Sequence, residues 1–461
     1  MKNYLDKKIN FFTLMKLTLP TVVMMIFFSL YTIIDGVFVS NFVGANALSS
    51  LNIVIPIVLF FSGVSVMFAT GGSAIVAKYM GEKNIKEARE TFSLLIVTLL
   101  IIGTVIAIVS FIFINDIIRI LGGTDLLFKD CYAYLAIMLL FSPFVMLKMY
   151  FDYFLVTAGV PMLALVSSII GGILNIIFDY IFIAELGMGI SGAAIATGIG
   201  YVVPAIIGIF YFYKKKNILH FVKPKLDFSL IKDSCINGLS EMVTQLAAAV
   251  ATFLFNIVMI KFLGEDGVAS ITIVLYAELL LNSAYIGFTS GVAPRISYSY
   301  GSKDQEQLKK IVRYSYITIG IFAVLSFVIS NLISENLIAA FSPKGSSIFN
   351  ITLEGFTIFS VGFLISGFNI FTSGMFTAYS NGKISAMLSF LRTLVLFIVG
   401  IIVLPYIFGV TGVWLVIPFA EAITSIFGLI CVLKYRTEYM YGSSSSTNER
   451  PLKRITSSIE E

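Results

Sequence analysis

The chain has 461 residues, 58% of them hydrophobic and only 12% charged, with a net charge of +5. That much apolar surface excludes an ordinary soluble domain, and the positive excess sits in loops rather than in a nucleic-acid-binding patch. Three cysteines without metal or redox spacing and a single histidine give no zinc or thiol framework. Cys131, Cys235 and Cys431 read as apolar filler, and His220 as a solvated residue of a basic loop.

Runs of 18 or more apolar residues with few charges read as membrane helices. The first, at 12–39, is too long for a cleaved signal peptide and carries Pro20 and Asp35. Runs at 47–76, 92–114 and 131–157 follow. Near the inner end of the last, Lys148 and Asp152 are expected to form an ordinary i,i+4 pair. The run at 162–184 carries Asn175 and Asp179, and that at 190–213 carries Thr197. Between those two, Gly187, Gly189 and Gly192 spell G-x-G-x-x-G, but the strand a nucleotide site needs is missing, so the motif reads as a turn. A basic loop then leads to runs at 234–260, 267–293, 311–333, 352–377, 384–407 and 410–433. The resulting organisation is an N-terminal six-helix lobe at 1–215, a cytoplasmic linker at 216–232, a C-terminal six-helix lobe at 233–435 and a disordered cytoplasmic tail at 436–461.

The two halves are copies. Gly44, Gly71, Gly81, Gly189, Gly192 and Gly208 each have a glycine 220 positions on, and Lys83, Phe151, Thr157, Ala158 and Lys214 keep the same offset. Six crossings per copy is an even number, so both copies enter the membrane from one side, as parallel repeats. Lys and Arg crowd the loops on that starting side, which places both termini in the cytoplasm. The fold class is thus an all-α polytopic membrane protein of twelve transmembrane helices, in the plasma membrane, the cell membrane of a prokaryote. The lipid bilayer is its surroundings and a monomer is expected.

Charges inside the bilayer cost about 2.5–3.5 kcal/mol each and need a reason. Counting 1.5 Å per residue puts Asp179 about 25 Å from the inner surface and Thr197 about 10 Å from the outer one. Asp35 lies near the outer end of its helix, and Asn175 shares a helical face with Asp179. Two carboxylates, an amide oxygen and a hydroxyl at one depth make an oxygen cage for a hard cation such as Na⁺, or a carboxyl pair that shares a proton. Hydrogen bonding between helices is the bland alternative. The repeat mates of the four are Phe255, Val395, Val399 and Ile417, so the polar set is confined to one copy. In the second copy Glu278 and Glu421 lie near the midplane. They are candidates for an acidic lining of a central cavity, unless Arg392 pairs with one of them. Glu241, near the inner end of its helix, reads as a residue that only caps or bonds locally.

Together, Pro20 with Tyr31-x-x-x-Asp35, Asn52-x-x-x-Pro56, Asn175-x-x-x-Asp179, Gly192-Ala-Ala-x-Ala-Thr197 and Pro294-x-x-Ser-Tyr-x-Tyr-Gly301 make the chain resemble the multidrug and toxic compound extrusion (MATE) transporters over roughly 10–435. The resemblance implies two lobes around a V-shaped cavity and antiport of organic cations or drugs against inward Na⁺ or H⁺. It implies a coupling-cation site at Asp35, Asn175, Asp179 and Thr197, with these four as the metal ligands if the ion is Na⁺, and a bend of the first helix at Pro20. No cofactor beyond the coupling ion is expected, and no enzymatic role. A lipid-linked saccharide flippase or metabolite exporter of the same superfamily is the alternative. Its anionic cargo would favour basic residues in the cavity, whereas the midplane charges are mainly acidic.

Overall fold

The computed structural model describes residues 4–442 and is helical, with no strand among them. Eleven stretches of these residues are long and apolar enough to cross a membrane. One of them, Phe228–Gly301, is two helices meeting at Gly264, whose φ of 63° and ψ of −148° are not helical. The described chain therefore makes the twelve expected crossings. In order they are α1 (Phe11–Val43), α2 (Asn46–Gly81), α3 (Ile85–Ile112), α4 (Asp125–Thr157), α5 (Pro161–Glu185), α6 (Gly189–Tyr213), α7 and α8 (228–263 and 265–301), α9 (Gln305–Ala339), α10 (Ser347–Ala378), α11 (Gly382–Phe408) and α12 (Val410–Tyr435).

Helix starts follow local chemistry. Asn10, Asp227, Asp304, Ser346 and Asn381 each accept a hydrogen bond from a backbone N–H three residues on, satisfying a donor the helix cannot. The repeat is visible in the turns. Gly44 and Gly264 both take positive φ between the first and second helices of their copies. Lys83 and Lys303 take it too, at 62° and 57°, just after α2 and α8. A side chain is disfavoured in that conformation, so its recurrence on a lysine marks one turn built twice. Gly187 and Gly189 also have positive φ and form the turn between α5 and α6 that the glycine motif was read as.

The first half encloses an aromatic core in which Phe92 meets Phe212 and Phe154 at ring-centroid distances of 4.6 and 5.0 Å. The part of the second half away from the basic loops is built around Phe255, Phe363 and Trp414. The ends of α1 and α7 on the side of the basic loops do not stay within their own halves. Ile9, Leu14 and Leu17 join a cluster with Val292, Ile311 and Met375 of the second half. At Gly287 and Gly291 of α8 an added Cβ would strike Thr18, Thr21 or Val22 of α1. The mirror contact sets Gly71 of α2 against Ser234 and Gly238 of α7, and Gly81 against Tyr298 and Ser302. These helices thus touch backbone to backbone, α1 with α8 and α2 with both α7 and α8, on the side of the basic loops. Away from this seam, Val105, Ile108 and Ile112 on α3, and Ile321, Val324 and Leu332 on α9, are exposed apolar side chains suited to lipid.

Two segments depart from expectation. The loop between the halves is packed rather than solvated, and it ends at Asp227, because α7 starts at Phe228. Leu219 and His220 are buried, Phe221 stacks on Phe92, Arg89 donates to the Ile218 carbonyl (2.8 Å), and Ser93 accepts from the Val222 N–H (3.0 Å). The apolar run Ile218, Leu219, Phe221, Val222 within the basic stretch supplies the reason: it buries against α3 and carries His220 with it. Residues 436–442 are likewise ordered, with Tyr439 stacked on Tyr379 at 4.6 Å and bonded by Asn381 (2.6 Å). The Ser-rich remainder of the expected tail, 443–461, lies outside the described residues.

Candidate functional site

α1, α4, α5 and α6 converge on a polar cluster in the first half. Close packing makes it possible. A Cβ at Gly172 of α5 would collide with the rings of Phe27 and Tyr31 on α1, and Gly200 of α6 sits against the Asn175 side chain. The carboxyl groups of Asp35 and Asp179 come within hydrogen-bonding reach of each other. Asn175 lies one helical turn from Asp179, and both are buried. Tyr134 of α4 lies beside Thr197 and within electrostatic range of both acids. The four residues singled out from the sequence are therefore brought together.

Their hydrogen bonding is incomplete. Asp35 Oδ1, both Asp179 oxygens, both polar side-chain atoms of Asn175 and Thr197 Oγ1 are buried without a protein partner. Buried polar groups are nearly always satisfied, so six such atoms in one cluster need an explanation. Two apposed carboxylates also repel unless a positive charge lies between them. The donor set is all-oxygen apart from an amide nitrogen, and no group of three or more acids, Cys or His able to hold a metal occurs among the described residues. This chemistry fits a proton or a monovalent hard cation. A π-helical turn, Tyr180–Glu185, begins directly after Asp179, an irregularity often found beside functional residues. Pro20 lies on the same α1, within a helix that continues unbroken through it.

Beneath it lies a layer of which the sequence showed the Lys148–Asp152 pair but not its surroundings. Lys148 and Asp152 are both 4% exposed and form a 2.7 Å ion pair. Ser168 of α5 donates to Asp152 (3.3 Å), and the Lys148 ammonium lies 4.8 Å from the centre of the Phe28 ring on α1. The Tyr31 and Tyr201 hydroxyls, within reach of each other, stand in electrostatic range of both Asp152 and Asp35. The rise arithmetic that located Asp179 puts Lys148 about 13 Å inside the end of its helix, too deep for an ordinary pair.

In the second half the two candidate acids are engaged by polar neighbours. Glu421 is buried and accepts from Asn369 Nδ2 (2.6 Å) and Arg392 Nη1 (3.3 Å). Glu278 accepts from Asn282 and lies in range of Glu421 and Arg392. A cavity of about 60 Å³ between the halves is lined by neither. The charged residues that reach it are Glu241 of α7 and Arg392 of α11. Glu241 is thus not a helix cap: Asp227 caps α7, and Glu241 lies thirteen residues into it.

Comparison with known proteins agrees with this architecture. The MatE family model matches twice, at residues 20–181 and 242–403, once in each half. The multidrug export protein MepA of Staphylococcus saprophyticus subsp. saprophyticus is 24% identical, over 94% of this chain and 96% of its own length. Two solved structures are each 22% identical and cover 95% of this chain and 99% of their own. They are a crystal structure of MATE in complex with MaL6, with a TM-score of 0.90, and an outward-facing conformation of a multidrug resistance MATE family transporter of the MOP superfamily, with a TM-score of 0.89. With its family model matched over most of its length, once per six-helix repeat, the chain belongs to the MatE family.

Proposed function

We propose that this protein is a secondary antiporter that exports organic cations or drugs in exchange for inward Na⁺ or H⁺. One observation carries the reading: Asp35 and Asp179 face each other beside the unsatisfied polar atoms of Asn175 and Thr197. An arriving cation or proton removes the repulsion between the acids and completes their coordination. One of the two acids rides on α1 and the other on α5, so occupancy alters the force between those helices.

α1 is suited to respond. Pro20 removes the helical hydrogen bond to the carbonyl of Lys16 and leaves a weak point for bending below the site. Loading from outside draws the outer part of α1 onto α5 and narrows the first half's side of the cavity, displacing the drug outward. Release of the ion inward resets the cycle. The names of relatives that export multiple drugs support the cargo class.

The test is efflux of ethidium from vesicles with sodium and proton gradients imposed separately. Wild-type protein is expected to respond to at least one gradient, and Asp35→Asn to neither. Gradient-driven efflux that survives Asp35→Asn would refute the coupling role of this site.

A further inference from the structure

The second half holds an oxygen set of the same composition as the cluster in the first half, with an arginine among it. Glu278 of α8 and Glu421 of α12 supply two carboxylates in electrostatic range of each other. Asn282 lies one turn on from Glu278 and donates to it through Nδ2 (3.3 Å), while its Oδ1 is buried without a protein partner. Thr424 lies one turn on from Glu421, is buried, and its Oγ1 has no partner either. Two carboxylates, an amide oxygen and a hydroxyl are also what Asp35, Asp179, Asn175 and Thr197 present. The repeat mates of Glu278 and Glu421 are Val58 and Tyr201, so the likeness lies in chemistry and not in the duplication. The difference between the sets is a base. Arg392 of α11, on a π-helical turn at Leu391–Val395, donates from Nη1 to Glu421 (3.3 Å) and stands in range of Glu278 and of Glu241 on α7. In the first half the repeat mate of Arg392 is Gly172, and the buried base Lys148 is taken by Asp152.

We infer that Arg392 is a resident cation: its guanidinium fills, as part of the chain, a place between Glu278 and Glu421 that would otherwise take a monovalent metal ion. The inference rests on the antiport reading and adds why coupling falls to one half. Carboxylates gathered in the interior need a positive charge to offset repulsion and lost hydration. The first half meets that need with an ion that enters and leaves, so its state changes during the cycle. The second half meets it with a charge that cannot leave, because a guanidinium stays protonated at any physiological pH. Glu278 and Glu421 therefore add no metal ion to the stoichiometry. Take away the guanidinium and the remaining ligands are all oxygen, a set suited to Na⁺ or Li⁺.

Thermal unfolding of the purified protein at pH 8 tests this, with NaCl replacing choline chloride at constant ionic strength. All variants carry Asp35→Asn, which disables the site in the first half. Asp35→Asn alone, and Asp35→Asn with Arg392→Lys, are expected to unfold at a temperature that sodium does not change. Asp35→Asn with Arg392→Met is expected to gain about 2 °C or more between roughly 1 and 100 mM sodium. Adding Asn282→Leu removes the amide oxygen and should abolish that gain. Arg392→Gln, closer to arginine in polarity, takes the place of Arg392→Met if the latter does not fold. No gain from sodium in the neutral variant, or stabilisation only on acidification to pH 6, overturns the proposal, because Arg392 is then an ordinary partner of Glu421. A gain of the same size with Arg392 in place, or one that survives Asn282→Leu, overturns it as well, since the sodium then lies elsewhere. No gradient and no efflux enter the measurement, so a failure here leaves gradient-driven efflux through Asp35 untouched, and a failure of ion coupling leaves these results standing.

Discussion

The Lys148–Asp152 pair shows how much a single buried charge can matter. Its partners come from three helices: α4 supplies both ions, α5 the Ser168 hydroxyl and α1 the Phe28 ring. Desolvation offsets most of the Coulombic gain of such a pair, so its net contribution to stability is small. Removing one member alone is different, because the other is left buried and uncompensated. Asp152→Asn is therefore expected to destabilise the protein by about 3–5 kcal/mol, while Lys148→Met with Asp152→Leu together costs far less. Thermal unfolding of the detergent-solubilised variants checks this. Equal losses for the single and double changes would mean that packing, and not charge, sets the effect. The pair was legible as two residues four apart, and its depth followed from the helical rise. Its neighbours did not, because Phe28, Ser168 and Tyr201 lie on other helices and no local pattern joins them.

At the scale of elements, the face bearing the basic loops is closed where α2 meets α7 and where α1 meets α8. Gly71 and Gly238 allow α2 and α7 to touch through their backbones, and Gly287 and Gly291 do the same for α8 and α1. Contacts of this kind suit helices in lipid, where close packing replaces the hydrophobic drive. A β-branched side chain at Gly71 has no room against the Ser234 carbonyl and must push α7 away, which costs about 1–3 kcal/mol or more. Gly71→Val is expected to shift the population toward an open inner side. A cysteine at Ser73, which lines the cavity, should then react faster with a maleimide presented from the cytoplasmic face; an unchanged rate would show that this seam is not the seal. The helices themselves were readable from apolar runs, and their pairing into repeats from the 220-residue offset. The exchange of α1 and α7 across the seam was not. The glycines that permit it also have ordinary roles in turns and helix packing, and only their partners distinguish the cases. The loop around His220 was misread for a related reason: its lysines masked the apolar residues between them.

Across the whole molecule, the two halves share a backbone plan and divide the chemistry. The interior of the first half holds Asp35, Asp179 and the Lys148–Asp152 pair, so under the proposed antiport its two acids outside that pair are the ones that would carry the coupling charge. The second half holds Glu241, Glu278 and Glu421 against Arg392. The repeat mate of Glu421 is Tyr201 and that of Arg392 is Gly172, so the same framework carries different charges on each side. This division has an electrical consequence. Neutralising both Asp35 and Asp179 takes two monovalent charges, two protons or a proton with Na⁺. If two enter for each monovalent drug that leaves, every cycle moves one net positive charge inward. An inside-negative potential then favours export by about 2.3 kcal/mol per 100 mV, roughly fiftyfold in the attainable drug gradient. Ethidium efflux from right-side-out vesicles, with the potential set by a potassium diffusion gradient and valinomycin, should therefore accelerate as the interior becomes more negative. Efflux indifferent to the potential would mean that a single charge enters per cycle, and that one carboxyl of the pair keeps the same protonation state throughout.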